Sequence, residues 1–236
     1  ALSSAASDVY KRQDYQVYNN SAQQDASTEA VRETAGEVLK YKGNIVTTYY
    51  YSTSCGKTTT MKAWGTSENE SNGYLQSVEV KDKKGDYEKS LPWYRWEADI
   101  DQDILSTLLA ENVKKNIGTV QSLEVTKTGP GGVALQIKAV GDKGSITVDT
   151  ENKIRKALGG NGYEIKKQDG TVAQSGTLLP SAFFKVKKAG NIFKITGGGY
   201  GHGIGMSQNG ANEMAKTGKN YQEILQMFYP GTTIEK

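Results

Sequence analysis

The stretch Thr196-Gly-Gly-Gly-Tyr-Gly-His-Gly-Ile-Gly-Met-Ser-Gln-Asn-Gly210 carries the chain's one histidine, His202, among six glycines between positions 197 and 205. Imidazole is the side chain whose charge changes most readily near neutral pH, and the flanking glycines leave this ring unshielded by neighbouring side chains. Beside a helix N-terminus the positive end of the dipole disfavours imidazolium, so the ring is expected to stay neutral and able to give or take a proton. His202 is therefore the candidate catalytic residue, and a tie between this loop and nearby backbone is the alternative role. Each glycine also costs backbone entropy on folding, a cost tolerated where positive φ or close approach is required. Something is expected to come near this backbone. A phosphate would suit a glycine-rich turn at a helix start, but the spacing matches neither G-x-x-x-x-G-K-[ST] nor a dinucleotide fingerprint. Nucleotide binding is set aside.

A second polar loop, Tyr51-Ser-Thr-Ser-Cys-Gly-Lys-Thr58, follows the β-branched and aromatic run Ile45 to Tyr51. Cys55 in this loop and His202 in the other suggest a thiol and its base. A thiolate needs that base within hydrogen-bond reach, and nothing in the sequence brings the two together, so a small buried thiol is the expected state of Cys55. One Cys and one His fall short of the four N/S ligands of a structural zinc site. No metal and no cofactor are expected.

Composition narrows the class. The chain has 236 residues, 29 Lys+Arg against 26 Asp+Glu, and a net charge of +3. That balance, with no basic stripe, argues against a nucleic-acid partner. No run of about 18 apolar residues occurs, so no membrane span is expected within the sequence. Residues 1–13, ALSSAASDVYKRQ, lack the charged end and apolar stretch of a secretory signal and read as a leader outside the fold. Any export signal or membrane anchor would lie upstream. A single cysteine forms no internal disulfide and is silent about the redox compartment. The 14 tyrosines offer flat apolar faces with polar tips, suited to sugar stacking and equally to β-rich packing.

These loops need elements to position them. Thr28 to Tyr41 sets Val31, Ala35, Val38 and Leu39 on one helical face, with Glu29, Glu33 and Glu37 on the other and Gly43 as a stop. Ile45 to Tyr51 reads as a strand, and Asp101 to Leu109 as a helix. Val120 to Thr126, Val133 to Val140 and Ser145 to Asp149 read as strands joined by Gly-Pro-Gly-Gly and Gly-Asp-Lys-Gly turns. Thr150 to Leu158 follows as a helix. Short strands are expected near Tyr163 to Lys167, Phe184 to Lys187 and Asn191 to Ile195, then helices over Met206 to Lys216 and Tyr221 to Phe228. Strands and helices mix without a regular βαβ alternation, which predicts an α+β fold: a mixed sheet with packed helices. One domain is expected over residues 14–236, with residues 97–160 as a smaller inserted lobe.

The ending Gly199-Tyr-Gly-His-Gly-Ile-Gly-Met-Ser-Gln-Asn-Gly-Ala-Asn-Glu-Met-Ala215, then Gly218, then Tyr221-Gln-Glu-Ile-Leu-Gln-Met-Phe-Tyr-Pro-Gly-Thr232, closely resembles the C-terminal signature of the stage II sporulation protein D family, which includes the amidase enhancers. Asp14-Tyr-Gln-Val-Tyr18, Ala30-Val-Arg-Glu-Thr-Ala-Gly-Glu-Val-Leu39, Tyr50-Tyr-Ser-Thr-Ser-Cys-Gly-Lys-Thr58 and, more loosely, Ile154-Arg-Lys-Ala-Leu-Gly159 extend the likeness over residues 14–234. The resemblance implies a peptidoglycan lytic transglycosylase. Such an enzyme cleaves MurNAc–GlcNAc linkages in denuded glycan strands to 1,6-anhydroMurNAc ends during sporulation. It implies an extracytoplasmic place in the envelope of a spore-forming bacterium, anchored to the membrane by an upstream segment. Implied partners are glycan strands, a cell-wall amidase and a membrane scaffold of the engulfment machinery. The alternative is a non-catalytic peptidoglycan-binding module that stimulates an amidase.

The same likeness carries Tyr51, Ser52, Thr53 and Ser54, and on the other loop Tyr200, Gly201, His202, Gly203, Met206, Ser207 and Gln208, onto motif positions expected to face the sugar chain. Lys57 and Arg32 are candidates to meet muramyl lactyl carboxylates, with ordinary surface charge as their alternative. Cys55 departs from the pattern, for the family's loop usually has glycine there. So does the start of the chain: the family's catalytic glutamate precedes a helix upstream of Gln-Val-Tyr, and residues 1–13 contain no glutamate. This sequence is expected to lack that acid. Glu33 is the best internal substitute, and its motif is read as structural.

Overall fold

The structure, a computed structural model, describes residues 25–236 and divides between Thr48 and Tyr49 and again before Thr232. The expected leader at 1–13 and the motif at 14–18 lie outside the described residues. In the first unit, α1 (Asp25–Glu33) buries none of its residues, and β1 (Val38–Tyr41) pairs antiparallel with the C-terminal strand Thr233–Glu235 on one side and with β2 (Asn44–Ile45) on the other. The single helix expected over Thr28 to Tyr41 is therefore corrected to a helix, a turn and a strand. Gly36 lies inside the helical pattern and adopts φ +80°, a left-handed turn that ends the helix. Lys42 and Gly43, at φ 50° and 81°, form the hairpin turn between β1 and β2, so Gly43 turns a hairpin rather than stopping a helix.

The second unit, Tyr49–Gly231, opens with β3 (Tyr50–Tyr51). The continuous strand expected from Ile45 to Tyr51 is thus split, because its two ends pair with different strands, Ile45 with Lys40 and Tyr50 with Met206. The small hairpin β4 (Lys81–Asp82) and β5 (Gly85–Asp86) follows, then β6 (Trp96–Asp101). Trp96, Ala98 and Ile100 are buried while Glu97, Asp99 and Asp101 are not, the period-2 pattern of a strand covered on one face.

Asp101 caps α2 (Gln102–Val113), which buries Leu105, Leu108 and Leu109. A three-stranded antiparallel sheet comes next, β7 (Val120–Thr128), β8 (Ala134–Gly141) and β9 (Gly144–Asp149). It leads into α3 (Glu151–Leu158), which buries Ile154, Ala157 and Leu158. The remaining strands are β10 (Glu164–Lys167), β11 (Val172–Gln174), β12 (Phe184–Ala189) and β13 (Ile192–Gly197). With β6 they build a five-stranded antiparallel sheet in the order β11-β10-β6-β13-β12. Ile100, Phe193 and Ile195 are fully buried at its centre, each stabilising by roughly 1.5–3 kcal/mol relative to exposure.

β14 (Met206–Ser207) then pairs in parallel with β3, Met206 against Tyr50 and Ser207 against Tyr51. The helix expected from Met206 accordingly starts two residues later, as α4 (Gln208–Lys216), with Ser207 as its N-cap. α5 (Tyr221–Phe228) begins with a capping box between Asn220 and Glu223. The protein is α+β. Among the described residues no helix is long and apolar enough to cross a membrane.

Candidate functional site

The two loops singled out in the sequence lie side by side. Beyond the β3–β14 pair, Thr53 and Tyr200 exchange main-chain hydrogen bonds of 3.0 and 2.8 Å, Gly203 accepts from the Thr59 amide at 2.7 Å, and Ser52 accepts from the Asn209 amide at 3.0 Å. The glycines permit this contact. A Cβ on Gly205 would lie 2.1 Å from the Tyr49 carbonyl oxygen, and one on Gly201 would lie 2.7 Å from the Tyr51 Cβ. The partner that approaches the glycine-rich backbone at these points is the hydroxyl loop itself.

Beneath the pair sits Glu88, fully buried, a residue the sequence reading did not pick out. Its carboxylate accepts from the Ser54 amide at 2.9 Å, from the Ser207 hydroxyl at 2.7 Å and from the Ser54 hydroxyl. The Ser207 hydroxyl also accepts from the Gly210 amide at 3.2 Å, which caps α4. Burial pushes the Glu88 carboxyl above its ordinary range, opposed by the Ser54 and Ser207 hydrogen bonds. Burial, then the charge of Glu88, pushes the Tyr51 phenol well up.

His202 spends both ring nitrogens on backbone. Nε2 lies 2.9 Å from the Tyr50 carbonyl oxygen and Nδ1 accepts from the Ile204 amide at 3.1 Å. The neutral tautomer with hydrogen on Nε2 satisfies both. Its ring packs against Tyr51 and Trp64, at centroid distances of 5.5 and 5.0 Å. Burial pulls its pKa down to about 4; the Tyr50 bond works against this and Arg155 adds to it. Trp64 in turn donates to Glu151 at 3.2 Å, and buried Glu151 pairs with Arg155 at 2.7 Å. Arg155 Nε holds the Leu179 carbonyl at 2.7 Å.

Of the residues expected to face sugar, Tyr51, Thr53, Ser54, Gly203 and Ser207 are buried, and Ser52, Gly201, His202 and Met206 are half-buried. Tyr200 and Gln208 are exposed. Tyr200, 42% exposed, packs on Trp93 with ring centroids 4.8 Å apart. Lys167 Nζ lies 5.1 Å from the Trp93 ring on its way into an open cleft of about 890 Å³. The cleft walls include Cys55–Lys57 and Gly197–Gly198, neighbours of the expected residues, but none of those eleven residues themselves. Cys55 therefore faces the cleft while His202 does not line it; burial raises the thiol's pKa, with Arg95 opposing. Lys57 is exposed and paired with Glu79 at 3.4 Å. Arg32 and Glu33 lie on exposed α1 in the first unit.

A protein-family model described as "Domain of unknown function (DUF8618)" matches residues 52–205, a span that includes the hydroxyl loop, Glu88 and most of the glycine-rich loop. The chain is similar to the amidase enhancer of Bacillus subtilis (strain 168), 28% identical over 93% of this chain and 34% of that protein. It is also similar to stage II sporulation protein D of the same organism, 31% identical over 89% of this chain and 51% of that protein. Stage II sporulation protein D of Bacillus amyloliquefaciens is 29% identical over 89% and 51%. The chain thus spans about half the length of the sporulation relatives and about a third of the amidase enhancer.

Two outcomes test this geometry. Glu88→Gln places an amide NH₂ against donors and is expected to lower stability by about 1–3 kcal/mol in urea unfolding, against a few tenths for Glu97→Gln on the surface; equal effects would remove Glu88 from the joint. For His202, the unfolded ring binds its proton below about 6.5 whereas the folded ring waits until about 4. Stability from this group is therefore lost as pH falls through that window, by at most about 3 kcal/mol. The His202→Gln variant should have a shallower dependence over the same range, and parallel curves for the two proteins would show that the ring is solvated.

Proposed function

We propose a function from one premise: the chain belongs to the family of stage II sporulation protein D and the amidase enhancers, and to the domain family DUF8618. On that premise the protein holds peptidoglycan glycan strands in the envelope of a spore-forming bacterium. In its catalytic form it opens them by lytic transglycosylation. The observation that carries this reading is the exposed Tyr200 ring packed on half-buried Trp93 beside an open cleft in which cations outnumber carboxylates. Aromatic faces cover the apolar faces of sugar rings, and an open cleft admits a polymer.

The chemistry asks for one carboxylic acid used twice. It protonates the glycosidic oxygen as the bond from that oxygen to the muramyl C1 breaks. Now ionised, it takes the proton of the muramyl C6 hydroxyl as that oxygen bonds to C1. No water is consumed. An acid suited to the first step has a raised pKa and reaches substrate. Glu88 has the first property but is shut from solvent and occupied by Ser54 and Ser207. Glu97 reaches the cleft but faces Lys166 and Lys194 at 3.8 and 3.3 Å. We place the acid outside the described residues, ahead of Asp14, and make His202 a positioning residue that holds the Tyr50 and Ile204 backbone. Glu79 and Asp86 also line the cleft but are taken by Lys57 and Lys81 and by the Tyr94 hydroxyl. This lack of a free acid in the cleft among the described residues favours, as second reading, a wall-binding module that stimulates an amidase.

Denuded glycan strands separate the two. The protein is expected to retain strands, with Trp93→Ala or Tyr200→Ala weakening binding about tenfold. Mass spectrometry should find no 1,6-anhydromuramyl ends with this chain and find them when the family's glutamate-bearing segment precedes Asp14. Ends produced by the chain as given would put the acid among its own residues; none from the extended chain would favour the module.

A further inference from the structure

The cleft's charges do not cancel. Lys57 and Lys81 both bond Glu79, at 3.4 and 2.6 Å. Lys166 faces Glu97 at 3.8 Å, and Asp86 takes the Tyr94 hydroxyl. Three lining cations, Arg95, Lys167 and Lys185, have no carboxylate within ion-pair distance among the described residues. Arg95 is held in place: its Nη1 donates to the Cys55 and Tyr94 carbonyls at 3.0 and 2.7 Å, and its guanidinium lies 3.8 Å from the Tyr94 ring centroid. Lys167 stands between the Trp93 face and the cleft. Lys185 projects from the edge strand β12. A concave surface with an excess of one sign of charge favours ligands of the other sign, and here six cations line the cleft against Glu79, Asp86 and Glu97.

We infer that Arg95, Lys167 and Lys185 are specificity-determining residues that read free carboxylates on a sugar strand, while Trp93 and Tyr200 cover its ring faces. This rests on the glycan reading above and adds to it the residues that recognise the strand's free carboxyls, in place of the Lys57 and Arg32 expected from the sequence. A guanidinium fixed by two carbonyls and a ring presents its remaining N–H groups to a carboxylate with little further ordering. The two lysines supply mobile charge for neighbouring units. A strand whose muramyl carboxyls are capped as amides keeps its sugar faces and loses this attraction.

The test compares glycan strands bearing free muramyl carboxyls with the same strands converted to methyl amides, binding to the full chain by tryptophan fluorescence. At ~0.1 M salt the free strands should bind about tenfold more tightly, and the gap should narrow at ~0.5 M as screening shortens the reach of each charge. Combined Arg95→Gln, Lys167→Gln and Lys185→Gln should abolish the preference. Lys185→Gln alone should reduce it. Combined Lys127→Gln, Lys138→Gln and Lys153→Gln, the same charge change outside the cleft, should keep it. Equal binding of both strands by the unaltered protein, or a preference that survives the triple change, overturns the inference while the glycan reading stands. Failure of both strands to bind overturns both. Tighter binding of poly(glycerol phosphate) than of free-carboxyl strands overturns the carboxylate in favour of phosphate.

Discussion

The second unit turns on a buried carboxylate. Glu88 takes two donors from Ser54 and one from Ser207, residues far apart in sequence on the two loops. A carboxylate without water is costly unless every oxygen is bonded, so its burial is compatible only with an arrangement that brings those donors together. Gly210 leaves the room this needs, for a Cβ there would come within 2.9 Å of Glu88 Oε2. With Ser207 held, α4 has its cap, β14 lies against β3, and the glycine-rich loop is carried along the hydroxyl loop.

His202 and its surroundings secure the same joint from another side. The imidazole ties Tyr50 to Ile204, and its ring passes the contact to Trp64, whose indole N–H reaches the Glu151–Arg155 pair. Arg155 then fixes Leu179, and Gly201 donates to the neighbouring Pro180 carbonyl. A neutral imidazole with one donor and one acceptor matches one carbonyl and one amide, whereas an imidazolium would set N–H against N–H at Ile204. Burial and bonding therefore favour the same protonation state, which is why a ring in a glycine-rich loop serves as a brace.

The interior of the joint is closed, and Tyr200 stands at its outer edge. Tyr200 alternates with buried Gly199 and stands out against Trp93, while Gly197 and Gly198 turn into the cleft wall. Rigid main-chain pairing behind exposed rings limits the ordering a bound polymer would have to impose, and ordering is a large part of what association costs.

Much of the second unit was legible because its signals are local. Val120 to Asp149 alternates between marked turns, and both closing helices show their apolar face, so these elements were found to within a few residues. The kinship of the chain was legible from the glycine-rich ending. Gly36 and the split of Ile45 to Tyr51 were misread, because helical and strand patterns persist in sequence where the backbone has already turned or changed its partner. Residue type and spacing by themselves determined the α+β class and the two loops rich in hydroxyl and glycine. Only the tertiary structure decided that Ser54, Ser207 and His202 face inward, that Glu88 joins them, and that Trp93, Tyr200 and unpaired cations remain outside. The physical reason is that burial and hydrogen-bond partnership are properties of contacts between distant segments, and a side chain carries the same chemistry in sequence whether its donors are consumed within the protein or left for a ligand.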